Sequence, residues 1–423
     1  MSEVSRRTPF YYGWVIAFSF LISGIAIYGV RFTYGVFFKS LESEFSLSRA
    51  ATSSILSINL VVSGISAFLM GWALDRYGPK VAMFVMGLLT GLGLVATGFA
   101  NSLWHLYLTY GVLVAMGIGA VFVVPMATIS RWFDRKRGLA AGIASSGIGL
   151  GPIILAPLGT YIILNYSWRV AFIVTGFAAL IVIIAVSRLL KRSPERHEAL
   201  PGRNSTLSNE ERQDARQQDG LSLSEALRAR SFYLILLIYV FFSSSIFFVT
   251  THLVPHVTDA GFSAMDAAAV LSMIGAAAIA GRVLMGIVSD RFGRRFAVVL
   301  CALLQSAAIL SLIWAREYRM IEVFAVVYGV AYSGMSPSLA ALIGDTFGVS
   351  RLGTILGVLE VGFGLGAAAG PTVGGYIFDV TGSYHAAFVL WSAAMFTAGL
   401  IAFLVRREQS QDVSRLLTLT DST

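Results

Sequence analysis

Long apolar runs alternate with short polar breaks along the chain. The runs fall at approximately 12–38, 51–73, 80–100, 104–130, 139–161, 168–190, 231–257, 267–289, 296–315, 320–344, 354–377 and 385–405. Each approaches or exceeds the roughly 20 residues that a helix needs to cross the hydrocarbon core of a bilayer, so the pattern predicts twelve transmembrane helices. One break differs from the rest. Between Lys191 and Arg230 the composition turns to Pro, Glu, Arg, Gln, Asn and Ser, which cannot bury a core and predicts a linker. Within it, Leu221 to Leu227 has the pattern of a short amphipathic helix on the membrane surface. The expected organisation is a six-helix bundle over 1–190, a cytoplasmic linker over 191–230, a second six-helix bundle over 231–405 and a cytoplasmic tail over 406–423. This is an all-α integral membrane fold of two pseudo-symmetric bundles.

Composition agrees and narrows the function classes. Hydrophobic residues make up 56% of the chain and charged residues 13%, against about 25% charged in soluble domains. The formal net charge of +8 would suggest nucleic acid in a soluble protein. Here it is better read as topology: Arg6 and Arg7, Arg76 and Lys80, Arg131 and Arg135 to Arg137, Arg291 to Arg295, and Arg406 and Arg407 all fall on one side. That places both termini in the cytoplasm and the protein in the cell membrane, the inner one in a bacterium. Its partners are then the lipid bilayer and no nucleic acid. The single Cys301 excludes an internal disulfide and a cysteine metal site. The run from Tyr12 onward is too long, and lacks the small-residue site, for a cleavable signal peptide.

The two halves echo each other. Gly71-Trp72-Ala73-Leu74-Asp75-Arg76-Tyr77-Gly78-Pro79-Lys80 recurs as Gly286-Ile287-Val288-Ser289-Asp290-Arg291-Phe292-Gly293-Arg294-Arg295. Internal duplication of this kind is a transporter trait, with the binding site near the midplane between the repeats. Ionisable residues inside apolar helices then become site candidates, because an arginine at the bilayer centre costs about 2.5–3.5 kcal/mol unless it faces a cavity or an anion. Arg282 lies about eight residues, or roughly 12 Å of helical rise, from the charged loop. It suits a substrate carboxylate, which its planar fork grips bidentately, or else a buried ion pair. Arg31 is a second cation, able to face the pathway or to snorkel outward. Tyr28 and Tyr34 flank it at spacings of three. Glu360 lies at a depth close to that of Arg282, so a pair between them, broken by protonation of Glu360, would couple a proton to an anion. His252 and His256 stand four apart, but Pro255 intervenes and no cysteine or carboxylate accompanies them, so no metal is expected. Tyr328 and Tyr332 share a face of one helix. The runs Gly147-Ile148-Gly149-Leu150-Gly151 and Gly362-Phe363-Gly364-Leu365-Gly366 lack the strand and full pattern of a phosphate loop, and predict close helix contacts.

The repeated G-x-x-x-D-R-x-G-x-K/R loop resembles the signature of the major facilitator superfamily over the whole chain. A narrower resemblance lies in Tyr12-Gly13-Trp14, Gly35-Val36-Phe37-Phe38, Arg131-Trp132-Phe133 with Arg137-Gly138-Leu139-Ala140, Trp168-Arg169-Val170-Ala171-Phe172 and Gly281-Arg282. These are similar to the monocarboxylate porter family, including the bacterial oxalate–formate antiporters. The resemblance implies that Arg282 binds the substrate carboxylate, that the Tyr332 hydroxyl reaches the substrate, that His252 lines the outer half of the cavity, and that Tyr28 and Tyr34 line the site. It implies gating loops at Asp75, Arg76, Asp290 and Arg291. Two departures stand out: Gly117-Ile118-Gly119-Ala120-Val121-Phe122 is apolar where lactate-type relatives carry Asn and Tyr, and Phe363 takes the place of the antiporter lysine. The expected function is a secondary transporter of a small organic carboxylate, most simply a monocarboxylate such as lactate or pyruvate with a proton, by alternating access. A dicarboxylate or carboxylate antiporter exchanging a counter-anion is the alternative, and a non-transporting membrane sensor is the other class. No catalytic constellation or cofactor motif is present, so no enzyme is expected, and the protein is expected to act as a monomer.

Overall fold

The computed structural model describes residues 11–133, 137–192, 221, 223–348 and 352–406. Most of the expected linker and tail lie outside them. The described residues hold twelve helices long and apolar enough to cross a membrane, as the runs predict. They are α1 (Gly13–Glu44), α2 (Arg49–Tyr77), α3 (Pro79–Gly98), α4 (Leu103–Ile129), α5 (Leu139–Asn165), α6 (Trp168–Leu189), α7 (Arg230–Asp259), α8 (Ala264–Phe292), α9 (Arg294–Ser311), α10 (Tyr318–Phe347), α11 (Leu352–Thr381) and α12 (His385–Leu404). With an even number of crossings, α1 begins and α12 ends on one side, called here the terminal side. The other is the far side.

The matched loops have matched geometry. Gly78 and Gly293 close α2 and α8 with φ of 86° and 97°, a region open to glycine and strained for other residues. Beyond Gly293, Asp290 accepts from Arg294 at the start of α9, and Arg294 Nη1 also donates to Ser289 Oγ at 3.2 Å. Asp290 is thereby tied to the start of the next helix in sequence. Arg76 and Arg291 lie over aromatic rings of their own helix ends, Trp72 and Tyr77 for one and Phe292 for the other. The side chain of Asp75 lies outside the described residues. The stretch expected to be an amphipathic surface helix is instead a single turn, Leu223–Ala226. Leu221 is buried and its N–H donates to Phe347 O at 2.9 Å, so this stretch is packed onto the end of α10.

α4 departs from α-helical geometry, with a π-helical stretch over Tyr107–Val114. Side chains of α2 bond to carbonyls in and just beyond this stretch: Asn59 Nδ2 donates to Tyr110 O at 2.7 Å, Ser63 Oγ to Ala115 O at 3.3 Å and Ser66 Oγ to Met116 O at 2.7 Å.

The first glycine run packs as the sequence predicts, whereas a Cβ on Gly364 of the second would meet nothing within 4 Å. A Cβ on Gly147 would sit 2.7 Å from the carbonyl carbon of Gly24, and one on Gly151 2.5 Å from Gly29 N, so α1 and α5 touch backbone to backbone. Gly149 makes the same kind of contact across the two halves, its would-be Cβ 2.7 Å from Gly275 O on α8. A Gly275→Val variant is expected to force α5 and α8 apart, with a cost of about 1–3 kcal/mol typical of overpacking. Its melting temperature in detergent should fall below the parent's; equal melting would mean that the contact is not held.

Candidate functional site

The two halves touch on the far side and part toward the terminal side. α2 and α11 meet where Ser57 Oγ donates to Ala368 O at 2.5 Å and shares a hydrogen with Thr372 Oγ1 at 2.7 Å. Nearer the terminal side, a Cβ on Gly64 of α2 or on Gly357 or Gly364 of α11 would meet nothing within 4 Å. α5 and α8 meet at Gly149 and Gly275, and Ser272 Oγ lies 3.4 Å from the carbonyls of Pro152 and Ile153. Gly142 and Gly286, further along the same pair, are likewise open. A cavity therefore opens between the halves on the terminal side.

Its inner end is aromatic. Tyr28 stacks on Phe32 with ring centroids 6.2 Å apart, Phe32 on Phe247 at 5.9 Å, and Phe247 meets Phe363 edge-on at 6.3 Å. Arg31 Cζ lies 5.6 Å from the centre of the Phe247 ring. Its Nε is buried and makes no hydrogen bond among the described residues. Arg31 thus stays within the bundle instead of snorkelling outward.

Arg282 is half-buried on α8, and its Nη1 donates to the carbonyl oxygen of Ser145 on α5 at 2.8 Å. Its Nε and Nη2 bond to no described residue and, unlike Arg31 Nε, are not buried. Tyr28 lies in the electrostatic field of Arg31, Arg282 and Glu360, and Tyr332 in that of Arg282. Both side chains are nearly buried, yet their hydroxyls remain accessible and bond to no described residue. Glu360 is exposed on α11 and forms no ion pair among the described residues; the charge acting on it is that of Arg31. The structure thus brings Arg282, Arg31, Tyr28, Tyr332 and Glu360 into one region. It does not form the expected Arg282–Glu360 pair, because equal depth leaves the direction of each side chain open.

Two candidates stand elsewhere. Tyr34 is buried in the first bundle, where its hydroxyl donates to Thr52 O at 2.6 Å and its ring lies 5.2 Å from that of Tyr110. Six residues of helix already turn Tyr34 about 120° away from Tyr28, and α1 is interrupted between the two at Thr33. His252 is fully buried in the far-side contact and not on the cavity.

That contact is a polar seal which sequence reasoning missed. Arg49, at the start of α2, donates from Nη2 to Asp259 Oδ2 at 2.6 Å, from Nε to Glu42 Oε1 at 3.2 Å and from Nη1 to Tyr384 Oη at 2.8 Å. Its guanidinium also lies 3.6 Å over the Phe378 ring, and Lys39 Nζ pairs with Asp259 Oδ1 at 2.5 Å. Asp379 of α11 caps α2 from the other half, accepting from Arg49 N and Ala50 N at 2.8 Å each. Burial pushes the Tyr384 phenol above its ordinary range. It therefore keeps a proton to donate to His252 Nδ1 at 2.9 Å, which leaves His252 Nε2–H for the Pro371 carbonyl at 2.8 Å. Among the described residues no group of three His, Cys, Asp or Glu could hold a metal.

These features are those of a twelve-helix membrane fold with two arginines between its halves. The family model described as Major Facilitator Superfamily matches residues 20–318 and 276–418. The chain belongs to the Major Facilitator Superfamily, and is a multi-pass membrane transporter. It is 27% identical to Monocarboxylate transporter 13 of Bos taurus, over 90% of this chain and 86% of that one. It is 27% identical to Monocarboxylate transporter 12 of Mus musculus, over 96% and 88%, and 28% identical to Monocarboxylate transporter 11 of Homo sapiens, over 92% and 82%. These relatives bear out the resemblance to the monocarboxylate porters. In fold it is similar to a bacterial homologue of the human lysosomal transporter Spinster, solved in an inward-facing and unoccupied conformation, with a TM-score of 0.68, 16% identity and coverage of 94% of this chain and 96% of that one.

Proposed function

We propose that this protein carries a small organic monocarboxylate, such as lactate or pyruvate, across the cell membrane by alternating access, with Arg282 as the carboxylate anchor. The supporting observation is the accessible Nε–Nη2 edge of Arg282 in the cavity between the halves. A guanidinium presents two parallel donors there and stays charged at any physiological pH. The hydroxyls of Tyr332 and Tyr28 stand ready to hold the substrate's remaining oxygens. Names of the relatives point to the same substrate class. The basic bias of its loops makes the terminal side cytoplasmic, so the cavity faces inward.

Charge balance favours a monoanion: with Arg282, Arg31 and Glu360 all ionised, the cavity keeps one net positive charge. Protonation of Glu360 would release the full charge of Arg31 and favour anion entry, which couples a proton to the substrate. Arg31 with its accessible terminal nitrogens also supports a second reading, in which a second carboxyl is gripped and a dicarboxylate is exchanged for another anion. Uptake of a panel of mono- and dicarboxylates into proteoliposomes, with and without an inward proton gradient, separates the two. Monocarboxylate uptake stimulated by the gradient is the expected result, and uptake dependent on an internal dicarboxylate would replace it with the second reading. In Glu360→Gln, uptake should lose most of its dependence on pH; a pH profile identical to the parent's removes Glu360 from the coupling.

A further inference from the structure

α5 does not run unbroken through the membrane. Ser146 lies between two helical pieces, Arg137–Ser145 and Gly147–Asn165. In a regular helix the Gly149 N–H would bond to Ser145 O, but it donates instead to Ser146 O at 3.1 Å. At the break, Ser145 Oγ donates back to Ala141 O at 2.7 Å and Ser146 Oγ to Gly142 O at 2.9 Å, an arrangement that favours a bend. The Ser145 carbonyl is thereby left without its helical partner, and it is this oxygen that accepts from Arg282 Nη1 across the two halves.

We propose that the Ser145 carbonyl is a positioning group for the substrate anchor. A guanidinium is rigid and planar, so one fixed hydrogen bond at Nη1 limits the plane in which the other donors lie. The opposite edge, Nε with Nη2, is then aimed at the cavity before any anion arrives, and the orienting cost is not charged against binding. The two serines act through this carbonyl and do not touch the substrate. Acceptor and arginine sit on different halves, so the fork is aligned in the placement of the halves seen here and is released when they rock. The inference rests on the carboxylate reading of Arg282 and adds what holds that residue in register.

The test compares uptake of radiolabelled pyruvate by the parent with the Ser145→Ala/Ser146→Ala double variant, the single Ser146→Ala variant and Ser146→Thr, all in proteoliposomes with Arg282→Lys alongside. Losing the hydroxyl back-bonds should return Ser145 O to Gly149 N–H. Loss of pre-orientation is expected to raise KM about five- to tenfold with Vmax kept within about twofold. Ser146→Thr, which retains the hydroxyl, should match the parent. A double variant that does not reach the membrane leaves the comparison to Ser146→Ala, with the same expected direction. An unchanged KM, or a fall in Vmax alone, overturns the positioning role. Pyruvate uptake that survives Arg282→Lys instead overturns the carboxylate reading, so the two failures are distinguishable.

Discussion

Arg282→Lys should leave a folded protein in the membrane with carboxylate uptake reduced at least about a hundredfold, since loss of a charge-assisted bidentate grip removes about 3 kcal/mol or more. Lysine keeps the positive charge, so this variant separates shape from charge. A point-like ammonium cannot hold Ser145 O and still offer two parallel donors to a carboxylate. The folding cost should be small: Arg282 is half-buried at the cavity and, among the described residues, bonds only to that one carbonyl. Initial uptake rates and monodispersity in detergent, measured on the same preparation, check both halves of the expectation. Uptake within threefold of the parent would remove Arg282 from its role as anchor.

Arg49→Ala is expected to open the far side. One substitution removes the bond to Asp259, the bond to Tyr384, the contact to Glu42 and the guanidinium over Phe378. It leaves Asp259 held by Lys39 alone and frees Tyr384 from one of its two partners. Arg49 is buried but its acidic partners are a quarter to a third exposed, so removing it should cost about 1–3 kcal/mol, less than the loss of a fully buried pair. In a two-state carrier that cost falls only on the conformation in which the far side is closed, so the population moves away from it. The only cysteine, Cys301, is buried, which makes the parent a quiet background for labelling. A cysteine placed at Ser57, under the seal, should react with a membrane-impermeant maleimide from the far side at least about tenfold faster in Arg49→Ala than in the parent. Equal rates would mean that the closure does not depend on Arg49.

The fold was largely legible because its signal is long and redundant: each membrane helix is a run of some twenty apolar residues, and the basic loops alternate. Arg282, Arg31, Glu360, Tyr28 and Tyr332 were legible as candidates because a polar group in such a run must meet a cavity or a partner. What each of them meets was not. Helical rise set Arg282 and Glu360 at one depth, but depth does not fix direction, and the two do not pair. Tyr34 flanks Arg31 in sequence, but six residues of helix turn it about 120° from Tyr28. The far-side seal joins Arg49 to Asp259 and Asp379, 210 and 330 residues away, and nothing local marks such a contact. The break in α5 did leave a trace, two adjacent serines before a glycine in an apolar helix, and its consequence for Arg282 needed the structure.

The claim that the protein carries a carboxylate on Arg282 is tested most directly by counterflow. Proteoliposomes loaded with unlabelled pyruvate are placed in trace labelled pyruvate, with the parent and Arg282→Ala run in parallel and the uncharged amide pyruvamide as competitor. The parent should accumulate label transiently, unlabelled lactate or pyruvate outside should abolish it, pyruvamide should leave it unchanged and Arg282→Ala should show none. Accumulation by Arg282→Ala, or competition by pyruvamide equal to that by pyruvate, would contradict that claim.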